Sequence, residues 1–552
     1  MTEIDRSASA DIASAFNNYF SATGVPSNGQ TPQSTTFHND IDKLTCIDVH
    51  ESDVIVAITK LKSNLSAGPD SLPPLLFKHL KYSIVVPLTL MFRQFLSVAY
   101  VPDEWKNAIV TPVHKKGAIN VLANYRPISI TCVPCKLLER VVVSKIYEHL
   151  VRNNILCREQ HGFIAGRSTC TNILECLNDW TRNLQDGFAT AVIYIDFSKA
   201  FDVIQHDKLF VKLRSYGIDG ILLQWIINLF TNRLFCTRVD DLLSSFVNLI
   251  SGVIQGSVIG PLMFLIYIND LAKLLSQYNV KLKLFADDVK LYVRVVSYAD
   301  VTELQMALSA VTSWADYWQL SVSVDKCGVL HIGKHVAPTT FAINNIPLPV
   351  VTSYRDLGIT ITCELSSSPH INDIVTKAHR RANMIHRCFV SRNINLLMRA
   401  FITYVRPLLE YNCVVWSPHL KRDIELIEQV QRRFTKRLSG LSDYSYDERL
   451  KLLNLNSLQY RRIWFDIIMC YKIIFGLVCI DRDEFFQLRL STTRGHPYKL
   501  YKHFSSCSVR SSFFSERVVN LWNSLPADRI SFTSLSAFKN SLKTVDLQSL
   551  AL

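Results

Sequence analysis

The chain has 552 residues, of which 48% are hydrophobic, so it is too long for one compact core and too apolar to be mostly disordered. Sixty Lys and Arg residues against 47 Asp and Glu residues give a formal charge of +13, which disfavours an acidic substrate and favours a polyanionic partner. Fourteen scattered cysteines and an N-terminus without an apolar signal core predict an intracellular protein without disulfides.

The N-terminal residues 1–62 are polar at first, rich in Ser, Thr, Asn and Gly, and become amphipathic around residues 54–61. We interpret them as a polar linker or extension. From residue 67 to about 333, helical periods alternate with short β-rich runs, which is typical of an α/β or α+β body. The segment 365–440 is mainly helical and basic, and residues 441–552 are helical at first and irregular later.

Two local patterns suggest sites that we do not expect. Cys132 and Cys135 form a CxxC pair, but no second pair follows at zinc-ligand spacing, so no structural zinc is predicted. Residues 242–269 carry no charge and are long enough to span a membrane. Their interior contains Asn, Gln, Ser, Gly and Pro, so the prediction is a buried strand, a turn and a core helix, with no membrane partner.

Three aspartates stand at the ends of two predicted strands. The run AVIYIDFSKAFD (191–202) predicts a buried apolar strand that ends at Asp196. The run KLKLFADDVKLYVRV (281–295) alternates on both sides of Asp287 and Asp288, which predicts a hairpin with both residues at its tip. Such a hairpin beside the first strand would bring three carboxylates together.

Neighbouring carboxylates repel each other unless cations lie among them, and Mg²⁺ is a hard cation that prefers oxygen ligands. Two such ions can activate a 3′-hydroxyl and stabilise leaving pyrophosphate, which is the chemistry of strand extension. The alternative interpretation is that an Asp-Asp pair is only a polar turn. For an isolated pair, that alternative is the more common one.

The basic segment at residues 371–440 has thirteen Lys and Arg residues and five Asp and Glu residues, a balance of 13 − 5 = +8. On helices, these cations could bind a phosphate backbone. A solvated helix face is the alternative interpretation.

Six phrases in order resemble the reverse transcriptases of jockey-like non-LTR retrotransposons from animals. They are NYRPISITCVPCKLLERVV (124–142), QHGF with GRST (160–169), IDFSKAFDVIQHDKL (195–209), SGVIQGSVIGPLMFLIYINDL (251–271), FADD with DKCGVLHIG (285–333) and YRDLGITI (354–361). The phrases RPLLEYNCVVWSP (406–418), IELIEQVQRRFTKRL (424–438) and FFSERVVNLWNSLP (513–526) resemble the C-terminal part of the same group.

The resemblance implies an α+β right-hand polymerase. Fingers and palm would occupy residues 63–362, a basic helical thumb residues 363–440, and a helical C-terminal extension of unknown role residues 441–552. The implied reaction is RNA-directed DNA synthesis, in which two Mg²⁺ ions, or Mn²⁺ as a substitute, support the addition of dNTPs to a primer 3′-OH on an RNA template.

Site roles follow from the motifs that match. Asp196, Asp287 and Asp288 would be the metal ligands, and Lys326 would act as proton donor to pyrophosphate, with a surface lysine as its alternative. Phe201 resembles the aromatic gate that excludes a ribose 2′-hydroxyl, although alone it would be assigned to a core. Further implied contacts to the nucleotide are Lys115, Lys116, Arg126, Gln255 and Gly256, and to nucleic acid Arg167, Ser168, Thr169, Arg380, Arg381, Arg432 and Arg433.

Departures from the motifs leave a second reading open. Ile254 stands where the motif has Pro, Ser323 where it has Asn, and Ile164 and Ala165 replace residues that are often basic. The alternative function is therefore a catalytically decayed or domesticated RNA-binding copy. An RNA-templated RNA polymerase is a further rival.

By resemblance, the partners are an RNA template, a DNA primer or target and dNTPs. No endonuclease is expected before residue 67 and no RNase H after the thumb. The chain would then be a polymerase-only fragment, a truncated copy, or a product that relies on an endonuclease in trans. The location implied is the nucleus and cytoplasm, as a ribonucleoprotein.

Overall fold

The computed structural model describes residues 9–30, 41–333, 340–489 and 495–547, which form a mixed fold of helices and strands, as predicted. The strands are β1 (Asn107–His114), β2 (Tyr125–Ile130), β3 (Ala189–Ile195), β4 (Leu234–Val239), β5 (Leu242–Leu243), β6 (Val247–Asn248), β7 (Lys281–Phe285), β8 (Asp288–Val295), β9 (Gly328–Ile332), β10 (Ala342–Ile343), β11 (Ile346–Pro347), β12 (Val350–Val351), β13 (Ser353–Asp356) and β14 (Ile359–Thr362).

The helices of the first part of the chain are α1 (Ser9–Ser21), α2 (Glu51–Thr59), α3 (Pro74–His79), α4 (Lys81–Ser97), α5 (Asp103–Lys106), α6 (Val133–Arg152), α7 (Thr169–Gln185), α8 (His206–Ser215), α9 (Gly220–Phe230), α10 (Gly260–Ile268), α11 (Asp270–Leu275) and α12 (Tyr298–Tyr317). Those that follow the last strand are α13 (Ser368–Cys388), α14 (Ile394–Ala400), α15 (Arg406–Glu410), α16 (Cys413–Trp416), α17 (Lys421–Lys436), α18 (Tyr446–Leu452), α19 (Leu458–Ile474), α20 (Arg482–Phe485), α21 (Ser508–Ser511), α22 (Phe514–Asn523) and α23 (Leu535–Leu542). A 3₁₀ turn, Val324–Lys326, precedes β9.

Five strands form the central sheet, in the order β12, β9, β3, β8, β7. Strand β3 is antiparallel to both neighbours, and all seven of its residues are buried. A strand that is covered on both faces needs a continuous apolar run, and residues 191–195 supply one. The predicted buried strand before Asp196 is therefore confirmed.

The alternation of side chains along β3 separates two hydrophobic cores. Ala191, Ile193 and Ile195 belong to a core built with α2, α4, α6, α8, α9, α10 and α12. Val192 and Tyr194 belong to a second core, which contains α7, α13, α17, α19 and α22. Successive residues of a strand point to opposite faces, so one strand contributes to both cores.

The second core joins the C-terminal region to the rest of the molecule. Within it, Arg510 donates hydrogen bonds to Asn178 Oδ1 (2.9 Å) and Thr181 Oγ1 (3.1 Å) of α7, and lies 3.1 Å from the Glu516 carboxylate. All of these residues are buried, and Arg510 joins them through hydrogen bonds and an ion pair away from water. Residues 441–547 are therefore packed against the sheet-bearing body in the described ranges.

A second sheet has the order β2, β1, β4, β5, with β6 also paired to β4. Strands β1 and β4 are parallel, and β2 is antiparallel to β1. Helix α1 packs on this sheet and buries Phe16 and Phe20 in one cluster with Val110 and Phe235. The region that we interpreted as a polar linker thus contributes a packed helix, because two phenylalanines one turn apart can be buried together.

The uncharged stretch at residues 242–269 forms β5, β6, a loop and α10. All but one of the nine residues of α10 are buried, which confirms the predicted turn and core helix. Leu242 and Leu243 are exposed, so the predicted burial of the strand is wrong. Among the described residues, no helix is long and apolar enough to cross a membrane.

Candidate active site

Three aspartates meet at one end of the central sheet. Asp196 directly follows β3, Asp287 lies in the turn between β7 and β8, and Asp288 begins β8. The register pairs Ile195 with Val289, so the next step along it places Asp196 opposite Asp288. The predicted hairpin, with Asp287 and Asp288 at its tip beside the strand of Asp196, is confirmed.

The turn of this hairpin contains only two residues. Phe285 pairs with Asp288, which leaves Ala286 and Asp287 between the strands. Ala286 has a φ of 54°, in the left-handed region that two-residue hairpin turns require and that residues with a Cβ adopt at a cost. The position of Asp287 therefore depends on a backbone conformation that must be held by its surroundings.

The negative charges of neighbouring carboxylates contribute to raised pKa values at Asp287 and Asp288. The pKa of Asp288 is raised to about 6, first by exclusion of water and then by the charges of Asp287, Asp356 and Asp196. Although the Asp288 side chain reaches solvent, surrounding protein atoms limit its hydration. The pKa of Asp287 is also raised, first by exclusion of water and then by Asp196. A cation among these oxygens would relieve the repulsion.

Lys326 lies against the first of these carboxylates. Its Nζ is 3.0 Å from Asp196 Oδ1, and both side chains are partly exposed, at 59% and 31%. The backbone N–H of Ser323, at the start of the same turn, donates to the Asp196 carbonyl at 2.8 Å. The turn that carries Lys326 is thus bonded to the end of β3.

The second sheet places further cations near the same carboxylates. The pKa of Lys115 is lowered by burial and by the positive charges of Arg126, Lys116 and Lys326, and Asp196 raises it. Arg126 and Lys115 in turn lower the pKa of Asp287. Lys115 and Arg126 are therefore close enough to the aspartates for their charges to act on them, and Lys326 contacts Asp196 directly.

Among the described residues, no group of three or more His, Cys, Asp or Glu side chains is arranged to hold a metal ion. The three aspartates adjoin one another, but their oxygens do not converge on one point. One oxygen of Asp196 is engaged by Lys326. The donors are nevertheless carboxylates, the ligands that hard divalent cations prefer.

Phe201 lies at the edge of the first core. Its ring stacks on Phe264, with centroids 4.3 Å apart and an interplanar angle of 14°. The ring of Phe163 meets it edge-on at 6.3 Å. Phe201 remains partly exposed, so a fixed aromatic surface faces outward five residues after Asp196.

The loop with Gln255 and Gly256 contacts β2. The N–H of Ser129 donates to the Gln255 carbonyl at 2.7 Å. Gly256 has a φ of 109°, and a Cβ at this position would lie 2.4 Å from the Ser129 carbonyl oxygen. Only glycine allows this approach, so the second sheet and the loop are held in one arrangement.

Asp202 is a residue of this site that we did not predict. Its Oδ1 accepts a hydrogen bond from Gln255 Nε2 at 2.8 Å, and exclusion of water raises the pKa of Asp202 to about 6. The motif phrase at residues 195–209 contains Asp202, but spacing alone does not show which distant side chain it meets. Gln160, in the phrase at 160–169, is a second residue of the site that we did not predict, and it forms hydrogen bonds with the backbone of Ala286.

The residues predicted to contact the template are bonded mostly to protein. Arg167 Nη1 donates to three backbone carbonyls, those of residues 157, 158 and 160, at 2.5 to 3.0 Å. Ser168 caps α7, and Thr169 Oγ1 accepts a hydrogen bond from Asn412 Nδ2 at 3.0 Å. These contacts order the loop at 160–169 and engage one nitrogen of the Arg167 guanidinium with the protein.

The four predicted thumb arginines divide into two pairs. Arg380 of α13 and Arg433 of α17 are exposed and line one groove between these helices, together with Lys436 and Arg437. Arg381 donates to the carbonyl of Tyr404 at 3.1 Å, and Arg432 forms an ion pair with Glu425. The groove therefore brings together two of the four predicted residues and two further cations.

Comparison with known protein families identifies the domain that contains this site. Residues 113–361 match the family model described as reverse transcriptase (RNA-dependent DNA polymerase). The matched span contains both sheets' site residues, from Lys115 to Lys326. Residues 113–361 form a reverse transcriptase domain.

Relatives of this reverse transcriptase domain come from mobile elements of Drosophila melanogaster. The chain is 25% identical over 399 residues to a probable RNA-directed DNA polymerase from transposon X-element, a match of 70% of the chain and 44% of that protein. It is 26% identical over 435 residues to the corresponding protein of transposon BS, covering 74% and 47%. With the RNA-directed DNA polymerase from mobile element jockey, identity is 24% over 398 residues, covering 70% and 43%.

These matches confirm the predicted resemblance to reverse transcriptases of the jockey-like non-LTR group. The chain spans less than half the length of the three relatives.

Proposed function

We propose that this chain is an RNA-directed DNA polymerase of a non-LTR retrotransposon, which adds dNTPs to a primer 3′-OH on an RNA template. The observation that carries the proposal is the meeting of Asp196, Asp287 and Asp288 at the end of the central sheet, within a reverse transcriptase domain. In this assignment, the central sheet is the palm, the second sheet belongs to the fingers, and α13 and α17 belong to the thumb.

Asp196, Asp287 and Asp288 would hold two Mg²⁺ ions, for which Mn²⁺ would substitute. When bound, such ions supply a more reactive 3′-hydroxyl and stabilise the charge of leaving pyrophosphate. The raised pKa values of Asp287 and Asp288 support this role, because clustered carboxylates are stabilised when a cation shares their oxygens.

Lys115, Lys116 and Arg126 would bind the triphosphate of the incoming nucleotide, Arg126 through a bidentate fork. Lys326 would deliver positive charge, or a proton, to the departing pyrophosphate. Its contact with Asp196 keeps the Lys326 ammonium at the reacting end of the sheet.

Phe201 would exclude nucleotides that carry a 2′-hydroxyl, because its ring is fixed against Phe264 and cannot easily turn aside. Gln255 and Gly256 would lie along the nucleotide and template, in a loop that is tied to β2. An RNA-templated RNA polymerase would need no such gate.

The groove with Arg380 and Arg433 would bind the phosphate backbone of template and primer. Arg381 and Arg432, on the same helices, would take part only by exchanging their present protein partners. By analogy with the named relatives, we propose that the template is the element's own RNA and the primer is nicked chromosomal DNA. The protein would work in the nucleus and cytoplasm as a ribonucleoprotein.

The test measures dTTP incorporation on poly(rA) primed with oligo(dT), with Mg²⁺ present or chelated. The double variant Asp287→Ala, Asp288→Ala should abolish the metal-dependent synthesis. A matched control is Asp240→Ala, Asp241→Ala, because these residues form the two-residue turn between β4 and β5, and Asp240 also has a φ of 54°.

Loss of synthesis in the first double variant only would support the proposal. If folded wild-type protein made no DNA and still bound RNA with a salt-dependent affinity, the chain would be a decayed or domesticated RNA-binding copy. The motif departures at Ile254 and Ser323 favour that second candidate.

A further inference from the structure

Gln160 is a buried amide that contacts the turn bearing Asp287. Only 3% of the residue is exposed. Its Oε1 accepts a hydrogen bond from the Ala286 N–H at 2.8 Å, and its Nε2 donates to the Ala286 carbonyl at 3.2 Å. One side chain thus satisfies both backbone groups of the residue that precedes Asp287.

The chemistry of the contacts fixes the orientation of this amide. The Gly162 N–H also donates to Gln160 Oε1, at 2.7 Å. Two N–H groups need an oxygen acceptor, and the Ala286 carbonyl needs a donor, so the opposite amide orientation would break all three bonds. Of the twenty side chains, only an amide of this length offers both groups in this geometry.

The segment around Gln160 is itself bonded to the edge of the central sheet. The His161 N–H donates to the Leu284 carbonyl at 2.8 Å, and the Leu284 N–H donates to the Glu159 carbonyl at 2.9 Å. Residue 160 forms a parallel bridge with Leu284 in β7. These bonds fix the backbone from which the amide of Gln160 projects toward Ala286.

A close backbone approach completes the contact. A Cβ at Gly162 would lie 2.4 Å from the Ala286 nitrogen, so no residue other than glycine fits there without displacing the turn. Ala286 has the left-handed φ of 54°, a conformation that costs energy in a residue with a Cβ. Gln160 and Gly162 together hold a turn that would otherwise relax.

We infer that Gln160 is a positioning residue for the proposed polymerase reaction, which acts through Ala286 to fix the carboxylate of Asp287. The inference rests on the proposed function. The side chain of Gln160 forms its hydrogen bonds with backbone groups of Ala286 and Gly162. Loss of the Gln160 amide should lower the rate of the chemical step and raise the Mg²⁺ concentration needed for activity. The reason is that displacing the Asp287 carboxylate by a fraction of an ångström weakens a preorganised site.

The test compares Gln160→Met with Gln431→Met in the full chain. Gln431 is equally buried, and its Nε2 donates to Tyr446 Oη and to the Asn456 carbonyl, at 3.0 Å each, far along the chain on α17. Both substitutions remove a buried amide of the same size. A merely structural role would lower the thermal unfolding temperature in both variants without changing the metal dependence.

On poly(rA) primed with oligo(dT), Gln160→Met should lower kcat by about tenfold or more and raise the half-saturating Mg²⁺ concentration by several-fold. The KM for dTTP and the affinity for template-primer should change by less than about twofold. Hydrogen–deuterium exchange of the Ala286 amide, followed in protein labelled with ¹⁵N-alanine, should be slow in wild type and at least about tenfold faster in Gln160→Met.

If wild type is active and Gln160→Met matches Gln431→Met in kcat and Mg²⁺ dependence, the inference is overturned and the proposed function stands. Fast exchange of the Ala286 amide in wild type would overturn it as well, even if the variant does not fold. A wild-type chain without polymerase activity would remove the proposed function first, and the inference with it.

Discussion

Replacing Gly256 by alanine tests whether the loop after Gln255 is part of the polymerase site. A Cβ at Gly256 would lie 2.4 Å from the Ser129 carbonyl oxygen, about 1 Å inside ordinary van der Waals contact. The φ of 109° lies outside the regions that an alanine adopts readily. Either the loop or β2 must therefore move by about 1 Å.

A displacement of that size at a positioned catalytic group costs on the order of 10²-fold in rate. We expect kcat/KM for dTTP to fall by about that factor, and the free energy of unfolding to fall by roughly 1–3 kcal/mol from the backbone conformation alone. Both are measured on the same preparation, by primer extension and by urea unfolding.

The control is Gly187→Ala. Gly187 has a φ of 83° but no atom within 4 Å of an added Cβ, so alanine there carries the conformational cost without the collision. The reasoning is refuted if both variants lower kcat/KM to the same extent, or if Gly256→Ala retains wild-type kcat/KM.

Three further perturbations have defined outcomes. Phe201→Ala should increase rNTP incorporation relative to dNTP incorporation by about tenfold or more, measured by competition on poly(rA), and an unchanged ratio would count against the gate. Lys290→Met should destabilise the protein by about 3–5 kcal/mol in urea unfolding, because it leaves Asp356, 3% exposed and 2.7 Å away, without its cation; Lys281→Met, at a lysine that is 58% exposed, should cost less than about 1 kcal/mol. Because the pKa of Asp202 is raised to about 6, the free energy of unfolding of wild type should fall relative to that of Asp202→Asn as pH rises from 4 to 7, with no such trend below pH 4. If the unfolding free energies of the two proteins changed equally with pH across this range, the burial of that carboxyl would be contradicted.

The carboxylate cluster was predictable from sequence because its determinants are local. The run of five apolar residues at 191–195 predicts a strand that is buried on both faces, and alternation around Asp287 and Asp288 predicts a hairpin. The order of the motifs then predicted the family, which the match over residues 113–361 confirms. None of these steps requires knowledge of a contact between distant residues.

The partners of the polar side chains could not be predicted in this way. The motif predicts that Arg167 contacts a phosphate, yet one nitrogen of its guanidinium donates to backbone carbonyls seven to ten residues earlier in the chain. Arg432 counts toward a basic face, yet Glu425 neutralises it. Charge and spacing establish that a cation is present, but not which acceptor it meets.

The sequence by itself determined the strand before Asp196, the hairpin of Asp287 and Asp288, and the family, because backbone periodicity and turn geometry are encoded within about ten residues. Only the tertiary structure decided that Gln160 holds the turn of Asp287, that Asp202 holds Gln255, and that the C-terminal helices share a core with α7. These contacts join residues separated by between 53 and several hundred positions, and hydrogen bonding at that range depends on how the packed elements bring the groups together.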